Sequence, residues 1–215
     1  MITQALAPEP AGRATRLTDN QLEELELEVP FAEPSKAFDA LAPFLDRPDP
    51  RLGPLIAQTL ARSSALPDEL IDRLYNALIK IVDARAYKPA VEMLDSLNSR
   101  LALCGVKLLG ACGDPRSARA LESFYHKAGG ANLRKEVLAT LYGMPRRVSA
   151  EFVLNIIAAA KDRDIRDEAM ILAARIGAIL DVPALLRINS RIRSEVENIR
   201  NGLAYTRRTH PERIP

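Results

Sequence analysis

The feature that most constrains this chain is a pattern that occurs three times in its second half. Each copy starts with an Ala- and Leu-rich segment that reaches a glycine, continues through a short turn containing a proline, and ends in a second apolar segment. The glycines are 33 and 34 residues apart. A period of this length predicts helix pairs that stack side by side. The copies are residues 106–125, 136–157 and 170–188, their glycines are Gly110, Gly143 and Gly177, and their prolines are Pro115, Pro145 and Pro183.

Helical segments also account for nearly all of the sequence around these copies. Apolar residues recur at helical spacing in stretches of about 10 to 17 residues, each broken by Pro, Gly, Asp or Ser. No stretch sustains the alternation of a strand between hairpin turns. The predicted fold class is therefore all-α. The helical segments are 51–63, 67–84, 88–97, 99–112, 115–127, 131–143, 149–161, 164–177, 182–192 and 194–208.

Two further helices are predicted before residue 51. Thr18 and Gln21 match a capping box at the start of the first helix. Ser35 is expected to cap the second helix, which ends at Pro48 and Pro50. The sequence LEELELEVPF, which follows Gln21, alternates apolar and acidic residues, so a short strand or an extended docking segment remains an alternative there.

The glycines and prolines of the repeat have predicted structural roles. Each glycine is expected to take a positive φ and so close the first helix of its pair. Each proline is expected to preset φ in the first turn of the next helix. Small residues should let neighbouring helices approach closely, and these are Ala102, Gly105, Ala139 and Ala173.

The sequence LLGACGDPRSARAL, residues 108–121, resembles the LG-x-x-GDPRA-x-x-AL signature of HEAT-type repeats, including the short bacterial kind. The resemblance is strong over 99–127. It is weaker over 131–192, where the corresponding turns read MPRR (144–147) and AILDVP (178–183). The resemblance implies a HEAT-like α-solenoid of stacked antiparallel helix pairs. An irregular helical bundle with coincidental spacing is the alternative.

Charge is distributed unevenly along the chain, although the formal net charge is only +2. Residues 17–50 contain nine acidic and two basic side chains, whereas residues 51–215 carry a net charge of about +8. The predicted organisation follows these differences. It consists of a flexible tail over 1–16, an acidic N-terminal segment or cap over 17–50, a HEAT-like helical repeat domain over 51–208 and a tail over 209–215.

Composition excludes several classes of protein. A hydrophobic fraction of 47% is too high for a disordered chain, and no apolar run approaches the roughly 18 residues that cross a bilayer. The N-terminal sequence lacks the basic and apolar regions of a signal peptide, so a cytoplasmic protein is expected. Cys104 and Cys112 cannot be bridged within one helix, and we expect both to be reduced thiols in buried or turn positions.

The sequence contains no recognisable catalytic, cofactor or metal site. It has no Gly-rich phosphate loop, and two Cys with two His cannot supply a structural zinc site on their own. Neither His126 nor His210 has a Ser or Cys beside it in a nucleophile motif. His126 is instead expected near a helix C-terminus, where a cation meets the helix dipole favourably. We therefore assign no catalytic, cofactor-binding or metal-ligating residue, and favour a non-enzymatic protein.

The candidate binding residues are arginines, whose guanidinium groups suit carboxylate or phosphate. In a stack of repeats, arginines at successive turns would form a ridge. Those in the last helical segment recur every seven residues. The candidates are Arg116, Arg119, Arg146 and Arg147 near the turns, and Arg193, Arg200 and Arg207 in the last segment.

Three functions are considered for this ridge. The first is a protein-binding scaffold or adaptor that takes an acidic segment, such as residues 19–33 of this chain or of a second copy, which would make 17–50 a route to a homo-oligomer. The second is a nucleic-acid-binding module that contacts phosphates, although the absence of Trp weakens base stacking. The third is a lyase-like auxiliary protein, because some bacterial HEAT-like proteins attach or remove chromophores.

Overall fold

The computed structural model of the protein describes residues 17–179. Over these residues the fold is all-helical, with ten α-helices and no strand, which confirms the predicted fold class. No helix in this part of the chain is long and apolar enough to cross a membrane. The predicted segments 182–192 and 194–208, and both predicted tails, lie outside the described residues. The chain divides into two compact units, Met1–Ile81 and Val82–Pro215.

In the first unit, helices that follow one another in sequence pack against each other. The first helix packs on the second, the second on the third, and the third on the fourth. Their apolar faces enclose a core of fully buried leucines and isoleucines, such as Leu41, Ile56 and Leu74. The four helices are α1 (Asp19–Glu28), α2 (Pro34–Leu41), α3 (Gly53–Ala61) and α4 (Asp68–Leu78).

The predictions for the start of the chain are partly confirmed. The capping box is present. The Thr18 hydroxyl accepts a hydrogen bond from the backbone N–H of Gln21 at 3.3 Å, and the Gln21 side-chain oxygen accepts one from the backbone N–H of Thr18 at 3.0 Å. The strand alternative for LEELELEVPF is wrong, because α1 occupies most of it. The Ser35 cap is also wrong. Helix α2 already begins at Pro34, since a proline at the first helical position loses no hydrogen bond that the helix would otherwise make.

In the second unit, contacts also join helices that are two apart in sequence. The sixth helix packs against the fifth, seventh and eighth, and the tenth packs against the eighth and ninth. The six helices are α5 (Tyr87–Leu94), α6 (Ser99–Ala111), α7 (Ser117–Lys127), α8 (Ala131–Tyr142), α9 (Ala150–Ala159) and α10 (Arg163–Ile179). Their bounds agree closely with the predicted segments from residue 88 to residue 177.

The repeat glycines do not close their helices in the expected way. Gly110 lies within α6 and Gly177 within α10, while Gly143 follows α8 with a φ of −69°. The one positive φ among the described glycines is 73° at Gly113, the residue after the C-cap of α6. At Gly110 the constraint is space instead: a Cβ at this position would lie 2.6 Å from the Cγ2 atom of Thr140, so that side chain would have to move.

The positive φ of Gly113 predicts a specific stability cost. We expect Gly113→Ala to lower the free energy of unfolding by about 1–2 kcal/mol, because a Cβ is strained in the left-handed region. A Cβ here would meet no atom within 4 Å, so this cost is conformational. Gly113→Asn should recover part of it, since asparagine tolerates this region better. Urea unfolding measures both losses, and equal losses for the two variants would contradict the prediction.

Candidate binding surface

The predicted arginine ridge starts at the turns between helices, and three of these turns share one local structure. In each, an aspartate carboxylate accepts a hydrogen bond from the backbone N–H two residues later, and it also pairs with the guanidinium of that residue. The pair closes the turn and sets the point at which the next helix begins. The pairs are Asp49–Arg51, Asp83–Arg85 and Asp114–Arg116, with ion-pair distances of 3.0, 2.7 and 2.8 Å.

Two of these turns lie before the three repeat copies, the first of which begins at residue 106. The three turns share the triplet Asp-x-Arg at intervals of 34 and 31 residues, although the same triplet at residues 164–166 lies within α10. Neither of the first two triplets is preceded by a glycine, so a search for a Gly-containing turn misses them. The buried residues that follow the triplets are Leu52, Ala86 and Ser117.

Asp114 is the most enclosed of the three aspartates. Its side chain is 8% exposed, compared with 29% for Asp49 and 47% for Asp83. The side-chain hydrogen bonds from Arg116, followed by the bond from the Arg116 backbone N–H, lower the pKa of Asp114 to about 2. The carboxylate is therefore ionised and held in place at neutral pH.

Two of the candidate arginines are bonded within the fold. The Arg116 guanidinium pairs with Asp114, and its Cζ atom lies 4.1 Å from the centroid of the Tyr87 ring. The Arg147 guanidinium donates to the backbone carbonyls of Gly113 and Asp114, each at 3.2 Å. Arg147 thus ties the turn before α9 to the turn before α7. Their contacts give both side chains a structural role.

Arg119 and Arg146 differ from these two. Arg119 lies in the first turn of α7 and Arg146 in the short 3₁₀ helix before α9, and both are exposed. Within residues 17–179, no hydrogen bond, ion pair or ring contact involves either guanidinium. Among the described residues, neither guanidinium thus has a partner. The remaining candidates, Arg193, Arg200 and Arg207, lie outside the described residues.

Other cations near these helices are also used internally. Lys135 pairs with Asp164 at 2.6 Å, and its ammonium lowers the pKa of that carboxyl. Arg134 donates to the carbonyl of Ala128, and Arg166 donates to a carbonyl at the end of α9. Of these three cations, Lys135 is paired with an opposite charge, whereas Arg134 and Arg166 bond to neutral carbonyls and keep their charge.

The predicted helix-end position of His126 and the predicted burial of the two cysteines are confirmed. His126 is exposed in the last turn of α7, and its ring meets those of Tyr125 and Phe152 edge-on. Cys104 and Cys112 are buried and unpaired with each other. Over residues 17–179, no group of three or more His, Cys, Asp or Glu side chains is arranged to hold a metal ion.

Comparison with known proteins adds nothing to these observations, since no protein-family model, curated protein or solved structure matches this chain.

Proposed function

We propose that this chain is a non-enzymatic protein-binding scaffold or adaptor built from HEAT-like helix pairs, and that Arg119 and Arg146 belong to its binding surface. One observation carries the proposal. Of four arginines near two neighbouring turns, Arg116 and Arg147 are bonded within the fold, whereas Arg119 and Arg146 are exposed and unpartnered within residues 17–179. The fold therefore requires the first two and leaves the second two for another molecule.

The repeat architecture is supported by contacts that recur at constant separation in the second unit. Lys107 pairs with Glu136, and Lys135 pairs with Asp164, so both ion pairs join residues 29 apart. Bonds over longer separations run from Arg147 to the turn at residues 113–114 and from Arg175 to the Tyr142 hydroxyl. The Arg147–Asp114 and Arg175–Tyr142 bonds each join residues 33 apart, which is the spacing of the repeat, and this supports stacked helix pairs.

An acidic protein segment fits the two free arginines better than nucleic acid does. Guanidinium groups pair in bidentate fashion with Asp and Glu carboxylates. Nucleic acid would also gain from aromatic rings on which bases stack. Two of the described tyrosines already carry a guanidinium over the ring, Arg116 over Tyr87 and Arg175 over Tyr142. The partner we propose is therefore a protein with an acidic segment.

Affinity capture from the native cytosol tests this function. We expect Arg119→Glu combined with Arg146→Glu to reduce recovery of the bound protein at least about tenfold, because a carboxylate partner would then meet like charge. The circular dichroism spectrum and the melting temperature should stay unchanged, since neither guanidinium has a hydrogen bond, ion pair or ring contact within residues 17–179. Arg147 is unsuitable for this test because its removal breaks two hydrogen bonds of the fold.

The matched control is Lys36→Glu combined with Arg47→Glu. It makes the same change in net charge at two exposed cations of the first unit. Equal loss of capture in this control, or full capture by the Arg119/Arg146 variant, would overturn the proposed surface. Titration with random duplex DNA at low and high salt tests the alternative. Binding with a log–log salt slope steeper than about −4 would favour nucleic acid as the partner.

A further inference from the structure

Helix α1 and the turn that follows it expose a pair of apolar side chains to solvent. Leu27 is 74% exposed and Phe31 is 88% exposed, although Leu25 and Val29 of the same segment are buried. The backbone N–H groups of Phe31 and Ala32 both donate to the carbonyl of Glu28, so the helical turn continues past the end of α1. The apolar pair is therefore one helical turn apart, on a segment whose opposite side already packs inside the unit.

Acidic side chains surround this apolar pair. Glu23 and Glu24 precede Leu27 by one turn, and Glu28 precedes Phe31 by three residues. All three glutamates are exposed, and none forms an ion pair within residues 17–179. We call these five residues, Glu23, Glu24, Leu27, Glu28 and Phe31, the acidic–apolar surface. Its chemistry matches a partner that has cations around apolar anchors.

The unit holds α1 firmly enough for this surface to be preorganised. The capping box fixes the first turn, and the Asp19 carboxylate pairs with Arg51 at 2.7 Å. At the other end, the Arg62 guanidinium donates to the carbonyls of Val29 at 2.9 Å and Pro30 at 2.7 Å. Docking on a helix fixed at both ends costs little conformational entropy in the helix itself.

We propose that the acidic–apolar surface binds the arginine-rich sequence 187–208 of a second copy of this chain. That sequence contains six arginines and two glutamates. Its apolar residues Val196, Ile199 and Leu203 are spaced as on one side of a helix. Charge and apolar spacing therefore complement those of the surface. The proposal does not rest on the proposed function, because it uses neither Arg119 nor Arg146.

Charge reversal in the full-length protein tests this contact. The first variant combines Glu24→Arg with Glu28→Arg, and the second combines Arg200→Glu with Arg207→Glu. We expect the wild type to self-associate in sedimentation velocity, and each variant alone to associate at least about tenfold more weakly, because like charges then meet. An equal mixture of the two variants should recover association, since both contacts of the mixed dimer again join opposite charges.

Two further variants complete the experiment. Leu27→Ser combined with Phe31→Ser should also weaken self-association, whereas Leu97→Ser should leave it unchanged, because Leu97 is exposed but belongs neither to the acidic–apolar surface nor to the sequence 187–208. A wild type that stays monomeric up to high concentration would overturn the proposal, and so would a mixture that fails to associate. Capture by the Arg119/Arg146 variant is a separate measurement, so failure of either proposal is recognised independently of the other.

Discussion

Gly105→Val is expected to lower the free energy of unfolding of the second unit by about 4 kcal/mol or more. Gly105 is the point where α6 crosses α5. A Cβ there would lie 2.8 Å from the carbonyl oxygen of Ala90 and 2.9 Å from the Cβ of Met93. Neither atom is the end of a flexible side chain, so relief requires the two helix backbones to separate. The close approach predicted at this glycine is thus confirmed.

Smaller substitutions define how much of the Gly105 effect is steric. Gly105→Ala adds the same Cβ but gains about 1 kcal/mol of helix propensity, so its net loss should be smaller, about 1–2 kcal/mol. Gly129→Ala is the control, because a Cβ there meets nothing within 4 Å. Its stability should change by less than about 0.5 kcal/mol. Chemical denaturation followed by circular dichroism measures all three, and a loss at Gly105 no larger than at Gly129 would contradict the packing argument.

The helices could be predicted from sequence because their signals are local. Apolar spacing of three and four residues, and breaks at Pro and Gly, give bounds for α6 and α8 that agree with the structure within a residue or two. The reason for each glycine could not be predicted in the same way. A side chain at Gly110 would meet Thr140 of another helix. The positive φ that was expected at Gly110 is found at Gly113 instead. A glycine in the sequence can mean either that a side chain would not fit or that the backbone takes a positive φ. Only the three-dimensional structure tells which of the two reasons applies.

The roles of the candidate arginines were also difficult to predict from sequence. Arg116, Arg119, Arg146 and Arg147 all follow from the repeat turns, and sequence treats the four as one ridge. The structure separates them, because the carbonyl acceptors of Arg147 lie 33 and 34 residues away along the chain. By contrast, the pairing of Arg116 with Asp114 joins residues only two apart. The Asp-x-Arg triplet suggests it but does not suffice, because the same triplet at residues 164–166 lies within α10, where Asp164 pairs with Lys135 instead.

The second large effect is expected for Asp114→Asn, a substitution that keeps the size of the side chain and removes its charge. The carboxylate accepts a hydrogen bond from the backbone N–H of Arg116 at 2.8 Å and two from the Arg116 guanidinium at 3.0 and 2.8 Å. An asparagine oxygen can keep one of these bonds, but its NH₂ group would face the guanidinium donors. We expect the melting temperature at pH 7 to fall by several degrees, because charge-assisted hydrogen bonds are lost at a side chain that is only 8% exposed and that water reaches poorly.

Asp83→Asn is the matched control for this substitution. Asp83 makes the same bonds to Arg85 in the same kind of turn, but its side chain is 47% exposed. Water can therefore replace the lost bonds, and exposed ion pairs contribute little to stability. We expect the melting temperature of this variant to change by no more than about one degree. Equal losses at the two positions would show that the burial of the Asp114 turn has no energetic consequence.

The pH dependence of the Asp114→Asn effect identifies its electrostatic part. The pKa of Asp114 is lowered from 3.8 to about 2 in the folded chain, so its ionised form stabilises the fold at pH values above the unfolded pKa. This contribution declines as the pH falls from about 4 toward 2. Asparagine does not titrate, so the difference in unfolding free energy between the wild type and Asp114→Asn should be constant above about pH 5 and narrow below pH 4. Denaturant unfolding between pH 2.5 and pH 7 measures this difference, and a gap of constant size across that range would mean that the lost hydrogen-bond geometry, rather than the charge of Asp114, accounts for the destabilisation.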